Sequence, residues 1–430
     1  MNSVGIDVSK EKSTVCILRP YGEVIMAPKE LPHTETALNQ LANLIMELDG
    51  ESKIILEATG AYHFPIVNKL IEFGLFVSVI NPYVMKKYAC ASVRWGKTDK
   101  LDSVRIANYG IDNWFKLQKF KPATESYEEL KILGRQYAHY ISMKIESKLA
   151  LTTLLDRVMP GIKVLLTGKR SDEPTKDKLS DFVEKYWHYD NITKMTERKF
   201  CEDYCKWAKK KGYYANETKA RRIYAMAMAG IPTLSSNAPT TKLLVLEAVR
   251  VLKEINQTLE NILTEMKKIA RQLPEYDTVR NMPGVGEVLA CKLIAEIGDV
   301  RRFHNGSALI AYAGIDAPPY QSGKFNCTQR KISKRGSSLL RKIGYETMRC
   351  LKTIKPEQDN TVYLYMLKKE SEGKPKKVAK IAALNKFLRI YYARVKSVYN
   401  NSIFLDSEPE ANQVTNEGGL PFTDTKKAVN

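Results

Sequence analysis

The chain lacks the features of a disulfide scaffold, a zinc protein or a membrane protein. Its 430 residues hold seven cysteines, an odd number scattered along the chain (Cys16, Cys90, Cys201, Cys205, Cys291, Cys327, Cys350), so no disulfide framework is spelled out. Only Cys201 and Cys205 lie close together, and the nearest histidine, His188, is thirteen residues upstream. Structural zinc needs four well-spaced ligands, and nothing nearby completes such a set. No apolar stretch reaches membrane-spanning length without interruption by charge, and no signal peptide is evident, so the expectation is a reduced, cytoplasmic protein. Gly-rich phosphate loops beyond the opening strand, which an ATP-binding sugar-kinase or chaperone-type fold would need, are missing too.

Acidic residues are in short supply. Against 68 Lys and Arg there are 48 Asp and Glu, a net charge of +20, and a polyanionic partner follows. The shortage is local. Residues 1–110 contain 12 basic and 12 acidic residues, so the whole surplus lies in residues 111–430.

In the neutral segment four acids stand out: Asp7 in GIDVSK, Glu57 in IILEATG, and Asp99 with Asp102 in KTDKLDS. Asp7 and Glu57 close apolar, β-branched runs, where a carboxylate is costly unless a cation neutralises it. Asp99 and Asp102 are three apart, so a helix beginning near Thr98 shows both on one face. Carboxylates gathered from two strands and a helix repel one another unless a divalent cation sits between them. Oxygen-only ligands favour Mg²⁺ or Mn²⁺ over zinc. This is the layout of a metal-dependent phosphoryl-transfer site.

Strands are expected at 3–8, 13–18, 23–27, 53–58 and 75–81, with helices at 34–48, 64–73 and from Thr98. That order describes a mixed α/β domain of the ribonuclease H-like kind over residues 1–120. A long charged helix follows within 121–164. In 241–274 the heptad Val245, Leu252, Leu259, Met266, Leu273, each of the first four followed by an apolar residue three later, predicts coiled coil or a long core helix. An antiparallel pairing of the two, within one chain or across a dimer, accounts for both. Residues 165–240 read as a helical insertion of unknown role. Its aromatic and basic residues, among them Tyr186, Tyr204, Trp207 and Lys209–Lys211, can stack bases and track phosphates, or belong to a small domain with a solvated charged face. Residues 401–430 have the composition of a disordered tail.

A second constellation occupies 275–400, a helical domain. Pro-Gly-Val-Gly at 283–286 precedes an apolar helix, the pattern of a helix-hairpin-helix or of a plain helical hairpin. In the first reading Gly284 and Gly286 let the backbone approach a phosphate. Downstream, Lys324, Arg330, Lys331, Lys334 and Arg335 form a basic run just after Ser322, which is either an ordinary turn serine or a nucleophile made effective by nearby cations or a metal.

Taken in order, GIDVSK, LEATG, INP, KTDKLDS, PGVG, AEIGDVRRF, AYAGI, SG and SKRG resemble the DEDD transposases of bridge-RNA-guided insertion sequences, and are similar to Piv-type DNA invertases. The resemblance covers roughly residues 1–160 and 240–350. It implies a RuvC-like domain joined by a coiled coil to a helical transposase domain, with Asp7, Glu57, Asp99 and Asp102 as metal ligands and Ser322 as nucleophile. It also implies a composite site across subunits of a homo-oligomer, dimer or tetramer, on donor and target DNA paired with an element-encoded guide RNA, and a nucleoid-associated location. No helper role is carried over to Gln321, where relatives can have an acid. The rivals are a structure-selective, metal-dependent nuclease using water, and a non-enzymatic DNA-bridging protein.

Overall fold

The computed structural model describes residues 1–90, 98–122, 124–166, 177–318, 321–322, 325–326 and 331–405. The chain divides into two compact units, 1–123 and 124–430.

In the first unit the elements run β1 (Asn2–Val8), β2 (Lys12–Leu18), β3 (Val24–Pro32), α1 (Glu35–Met46), β4 (Ser52–Glu57), α2 (Phe64–Glu72), β5 (Phe76–Ile80), α3 (Pro82–Ala89) and α4 (Asp99–Asp112). The sheet order is β3-β2-β1-β4-β5. β1, β2 and β3 are antiparallel neighbours, whereas β1, β4 and β5 run parallel. Successive strand residues face opposite sides of a sheet. Val4, Ile6, Val8, Ile54, Leu56 and Val77 accordingly share one core with Leu38, Leu41 and Ile45 of α1 and Ile66 and Leu70 of α2. Ser3, Gly5 and Asp7 of β1, with Ile55 and Glu57 of β4, therefore face the other way, toward α4.

α4 lies unusually close to the sheet. A methyl group on Gly5 would overlap the Ser103 carbonyl oxygen and the Ala107 amide of α4, and one on Gly110 would overlap Ser3 Oγ and Ile55 Cδ1. Ser3 Oγ donates to the Ala107 carbonyl at 2.6 Å. These contacts fix direction: residue 103 sits at Gly5 and residue 110 at Ser3, so α4 runs antiparallel to β1.

The second unit is helical apart from one short hairpin among the described residues. Its elements are α5 (Glu125–Val158), α6 (Ile162–Leu166), α7 (Lys178–Tyr186), α8 (Asp190–Thr193), α9 (Glu197–Lys210), α10 (Glu217–Ala229), α11 (Pro239–Arg271), α12 (Tyr276–Arg280), α13 (Glu287–Ile297), α14 (Gly306–Ala313), β6 (Gln321–Ser322), β7 (Phe325–Asn326), α15 (Ser338–Ile354), α16 (Thr361–Ser371) and α17 (Lys376–Leu405). Leu130 of α5 shares a core with Met266 and Ala270 of α11, while Leu151, Leu155 and Val158 share another with Val245, Val249 and Leu252. The two long helices are thus antiparallel within one chain. Val245, Leu252, Leu259 and Met266 are all buried.

Each end of this helix pair enters a different core. At one end α12–α17 pack around Leu289, Leu293, Leu340, Leu384 and Phe387. At the other, α6–α10 bury Phe182, Tyr186, Phe200, Tyr204 and Trp207 together. The open question about the insertion is settled for these rings: they are its core, and base stacking is closed to them. Tyr214, 83% exposed, is the one aromatic among the described residues of that stretch that is largely solvated. α17 continues to Leu405, five residues into the expected tail, whose remainder (406–430) lies outside the described residues. Among the described residues no helix is long and apolar enough to cross a membrane.

Candidate functional site

Asp7 and Glu57 occupy corresponding ends of neighbouring parallel strands, one residue beyond the registered pair Ile6 and Leu56. Both are half-buried. Both face α4 by the alternation above. Two strand residues beyond Gly5 is a rise of about 6.6 Å, and one helical turn before Ser103 is about 5.4 Å. The first turn of α4 therefore stands level with Asp7 and Glu57. That turn begins at Thr98, whose Oγ1 accepts from the Leu101 amide at 3.2 Å as N-cap, and it carries Asp99 and Asp102. Asp7 and Glu57, with the turn that carries Asp99 and Asp102, thus stand at the same end of the central strands.

They are not gathered equally. Asp99 is exposed, and Asp102 is bound by Arg105 Nη1 at 2.8 Å, one turn along the helix. Among the described residues no three acids are close enough to share one ion. The donor set is all oxygen, which fits a hard divalent cation, and Arg105 fills part of the charge deficit. Lys12 opens β2 at the same end and pairs with Glu30 at 2.7 Å. That hydrogen bond raises the Lys12 pKa, and Asp99 adds to the rise. The sequence gives little sign of Lys12 and Arg105, whose spacing from the acids is a weak signal.

In the second unit Ser322 lies in the β6–β7 hairpin, its backbone opposite Phe325. Lys324 and Arg330 lie outside the described residues. Lys331, Lys334 and Arg335 are described and exposed. The loop holding all of these is closed at its base. The Ser333 amide donates to the Asp316 carbonyl at 2.8 Å and the Lys334 amide to the Gly314 carbonyl at 2.9 Å. Lys334 takes a left-handed φ of 54° there. Gly336 packs so tightly on the Tyr312 carbonyl that a methyl group would overlap it. Arg341 Nη1 donates to the carbonyls of Ala313 and Gly336, each at 3.0 Å. The AYAGI and SKRG segments thus form one clasp.

A buried acid completes the clasp. Glu296, in AEIGD, is 4% exposed. Its Oε1 accepts from Ser337 Oγ at 2.7 Å and from Tyr312 Oη at 3.4 Å. The sequence hides its role, because an acid on an apolar helix shows its purpose only through partners far along the chain.

Gly284 and Gly286 differ. Gly284 is buried, has φ of 83°, and a methyl group on it would approach Leu351 Cβ of α15 to 2.9 Å, so internal packing already demands glycine. Gly286 is exposed and forms the N-cap of α13. The adjoining Glu287 is held by Lys267 at 2.7 Å and by Arg271, and these two cations keep its pKa low.

Comparison with known proteins matches both constellations. A model described as a transposase, built on the DEDD proteins of IS110 elements, covers residues 4–160, and one described as the transposase IS116/IS110/IS902 family covers 276–363. The chain belongs to the DEDD transposase family of IS110 and IS116 elements. It is similar to an uncharacterised 44.8 kDa protein of insertion element IS116 from Streptomyces clavuligerus, 20% identical over 86% of this chain and 88% of that one. It is also similar to the pilin gene-inverting protein of Moraxella lacunata, 21% identical over 80% of each. A transposase for insertion element IS1111A from Coxiella burnetii is 32% identical over a shorter stretch, 20% of this chain and 24% of its own. The four acids fall within the first family segment, and Ser322 with its clasp within the second. The helical insertion lies between the two.

Proposed function

We propose that this transposase-family chain is an RNA-guided DNA recombinase that cuts and rejoins strands through a serine–phosphate intermediate. The observation that carries it is the arrival of Asp7, Glu57 and the Asp99–Asp102 turn at one end of the central strands. We read the β3-β2-β1-β4-β5 domain as RuvC-like, α5 with α11 as an antiparallel coiled coil, and α12–α13 as a helix-hairpin-helix. Donor and target DNA are the substrates, an element-encoded RNA the guide, and a dimer or tetramer the working form. A divalent ion, Mg²⁺ or Mn²⁺, held by Asp7, Glu57, Asp99 and Asp102 would neutralise phosphate charge and favour an ionised hydroxyl.

The residues' own part is a bond exchange. Ser322 Oγ forms a bond to phosphorus as the bond to the 3′ oxygen breaks, and the serine proton leaves with the 3′-hydroxyl. One phosphoester replaces another, so attack by a second strand's 3′-hydroxyl reseals without ATP. Lys331, Lys334 and Arg335 on the clasp supply positive charge for the crowded phosphate. The clasp ties the two ends of the Ser322-bearing segment together, at 314–316 and 333–334.

A covalent-trapping assay tests this, using purified protein, Mg²⁺, its co-purifying RNA and nicked DNA on a denaturing gel. A protein–DNA adduct is expected, absent in Ser322→Ala and in Asp7→Ala while both still bind DNA. Cleaved free ends with no adduct would establish the water-using nuclease instead.

A further inference from the structure

One face of the helical unit carries more cations than its carboxylates can answer. Lys131 and Arg135 lie one turn apart on α5 and so share a face. Arg302 follows α13 and is held rigidly: Nε and Nη2 donate to the Ile297 carbonyl at 3.1 and 3.0 Å, and the guanidinium lies 4.4 Å from the Phe303 ring centre and 4.5 Å from that of Tyr312. The buried acid among them is Glu296, already engaged by Ser337 and Tyr312. Of the three cations only Arg135 reaches it, loosely, at 3.8 Å. Glu128, one turn before Lys131, is exposed. The crowding registers on Lys131, whose pKa is lowered by burial first and then by Arg135 and Arg302, with Glu296 and Glu128 opposing. Cations packed beyond their counter-charges repel one another until an anion joins them.

The position of the cluster indicates which anion. Arg302 stacks on Tyr312, whose carbonyl accepts from the Ser337 amide at 2.7 Å in the clasp below Ser322. We propose that Lys131, Arg135 and Arg302 form a subsite for a backbone phosphate of the DNA strand, beside the base of the Ser322 loop. The inference rests on the reading of this chain as a DNA recombinase. It adds a phosphate-binding position outside the basic run and outside the acids.

The test is fluorescence anisotropy of the full-length protein with a labelled DNA duplex of about 20 base pairs, across a KCl series. Arg302 has structural contacts, so the diagnostic variant is Lys131→Gln/Arg135→Gln, with folding checked by circular dichroism. The slope of log affinity against log salt is expected to become shallower by about 2, close to one for each cation removed from the phosphates. Lys209→Gln/Lys210→Gln removes equal charge from α9 and is expected to change the slope by less than half as much. An unchanged slope in the first variant, or an equal loss in the second, overturns the subsite. A loss seen only with an RNA duplex overturns the assignment to DNA. Wild-type protein that binds no DNA would sink the recombinase reading itself, and the subsite with it.

Discussion

Gly5 shows what one absent methyl group decides. In the sequence it is the first letter of GID, a frame for Asp7; in the structure it is where α4 touches β1. Gly5→Ala would push a methyl against helix backbone, which cannot swing aside as a side-chain tip can. A loss of about 3 kcal/mol in the first unit is expected, with α4 lifted and Asp99 and Asp102 drawn back from Asp7. Hydrogen exchange checks it: α4 amides should lose protection, and unchanged protection would mean the packing there is slack. Single residues stand out where the local pattern is strong, as Asp7 and Glu57 do at the ends of apolar runs that form β1 and β4. Arg105 and Glu296 do not, because the first shows its role as Asp102's partner and the second through Tyr312 and Ser337, sixteen and forty-one residues away.

Most elements of the first unit are legible nearly to their ends, since alternation marks strands and helical spacing marks helices; β3, expected at 23–27, instead runs on to Pro32. The strand expected at 53–58 is Ser52–Glu57, and the helix expected from Thr98 is Asp99–Asp112. α3 escapes that reading: Pro82 at its first turn is a helix-start signal, but the helix is short and has one buried residue, Met85. The insertion's rings mislead for a related reason, since aromatics beside lysines look alike whether they face solvent or one another. Beside the apolar core that the insertion shares with α11, Asp181, 15% exposed, adds a polar tie: it meets Lys253 of α11 at 2.7 Å and Tyr213 Oη of the insertion at 2.8 Å. Burial alone would raise the Asp181 pKa, but the hydrogen bonds from Lys253 and Tyr213 outweigh it and the net shift is downward. A lowered carboxyl pKa stabilises the fold above the unfolded value, near 4, and that contribution fades as pH falls through the folded pKa. The insertion should therefore melt earlier as pH drops below about 4. Asp181→Asn should cost about 2 kcal/mol at neutral pH and flatten that acid dependence, as read by thermal melts in near-ultraviolet circular dichroism.

At the scale of the molecule, charge and chemistry are kept apart: the acids sit in the first 110 residues, which are neutral, and most of the cation surplus lies in the helical second unit. Within the second unit the two cores are separate, and among the described residues α5 and α11 are the helices that enter both. Linking residue 147 to residue 253 by a short glycine turn should remove the insertion and leave α12–α17 folded. Unchanged exchange protection in α13 and α15 would bear that out, and collapse of both would show that the cores cooperate.

The α5–α11 pair also sets a length. With 34 residues in α5 and a rise of about 1.5 Å each, it is a rod about 50 Å long. Duplex DNA advances about 3.4 Å per base pair, so the rod spans about fifteen steps. The pair runs between the insertion's core and the core of α12–α17. Adding or removing one heptad would change the length of the pair by about 10 Å, the rise of about three base pairs of duplex.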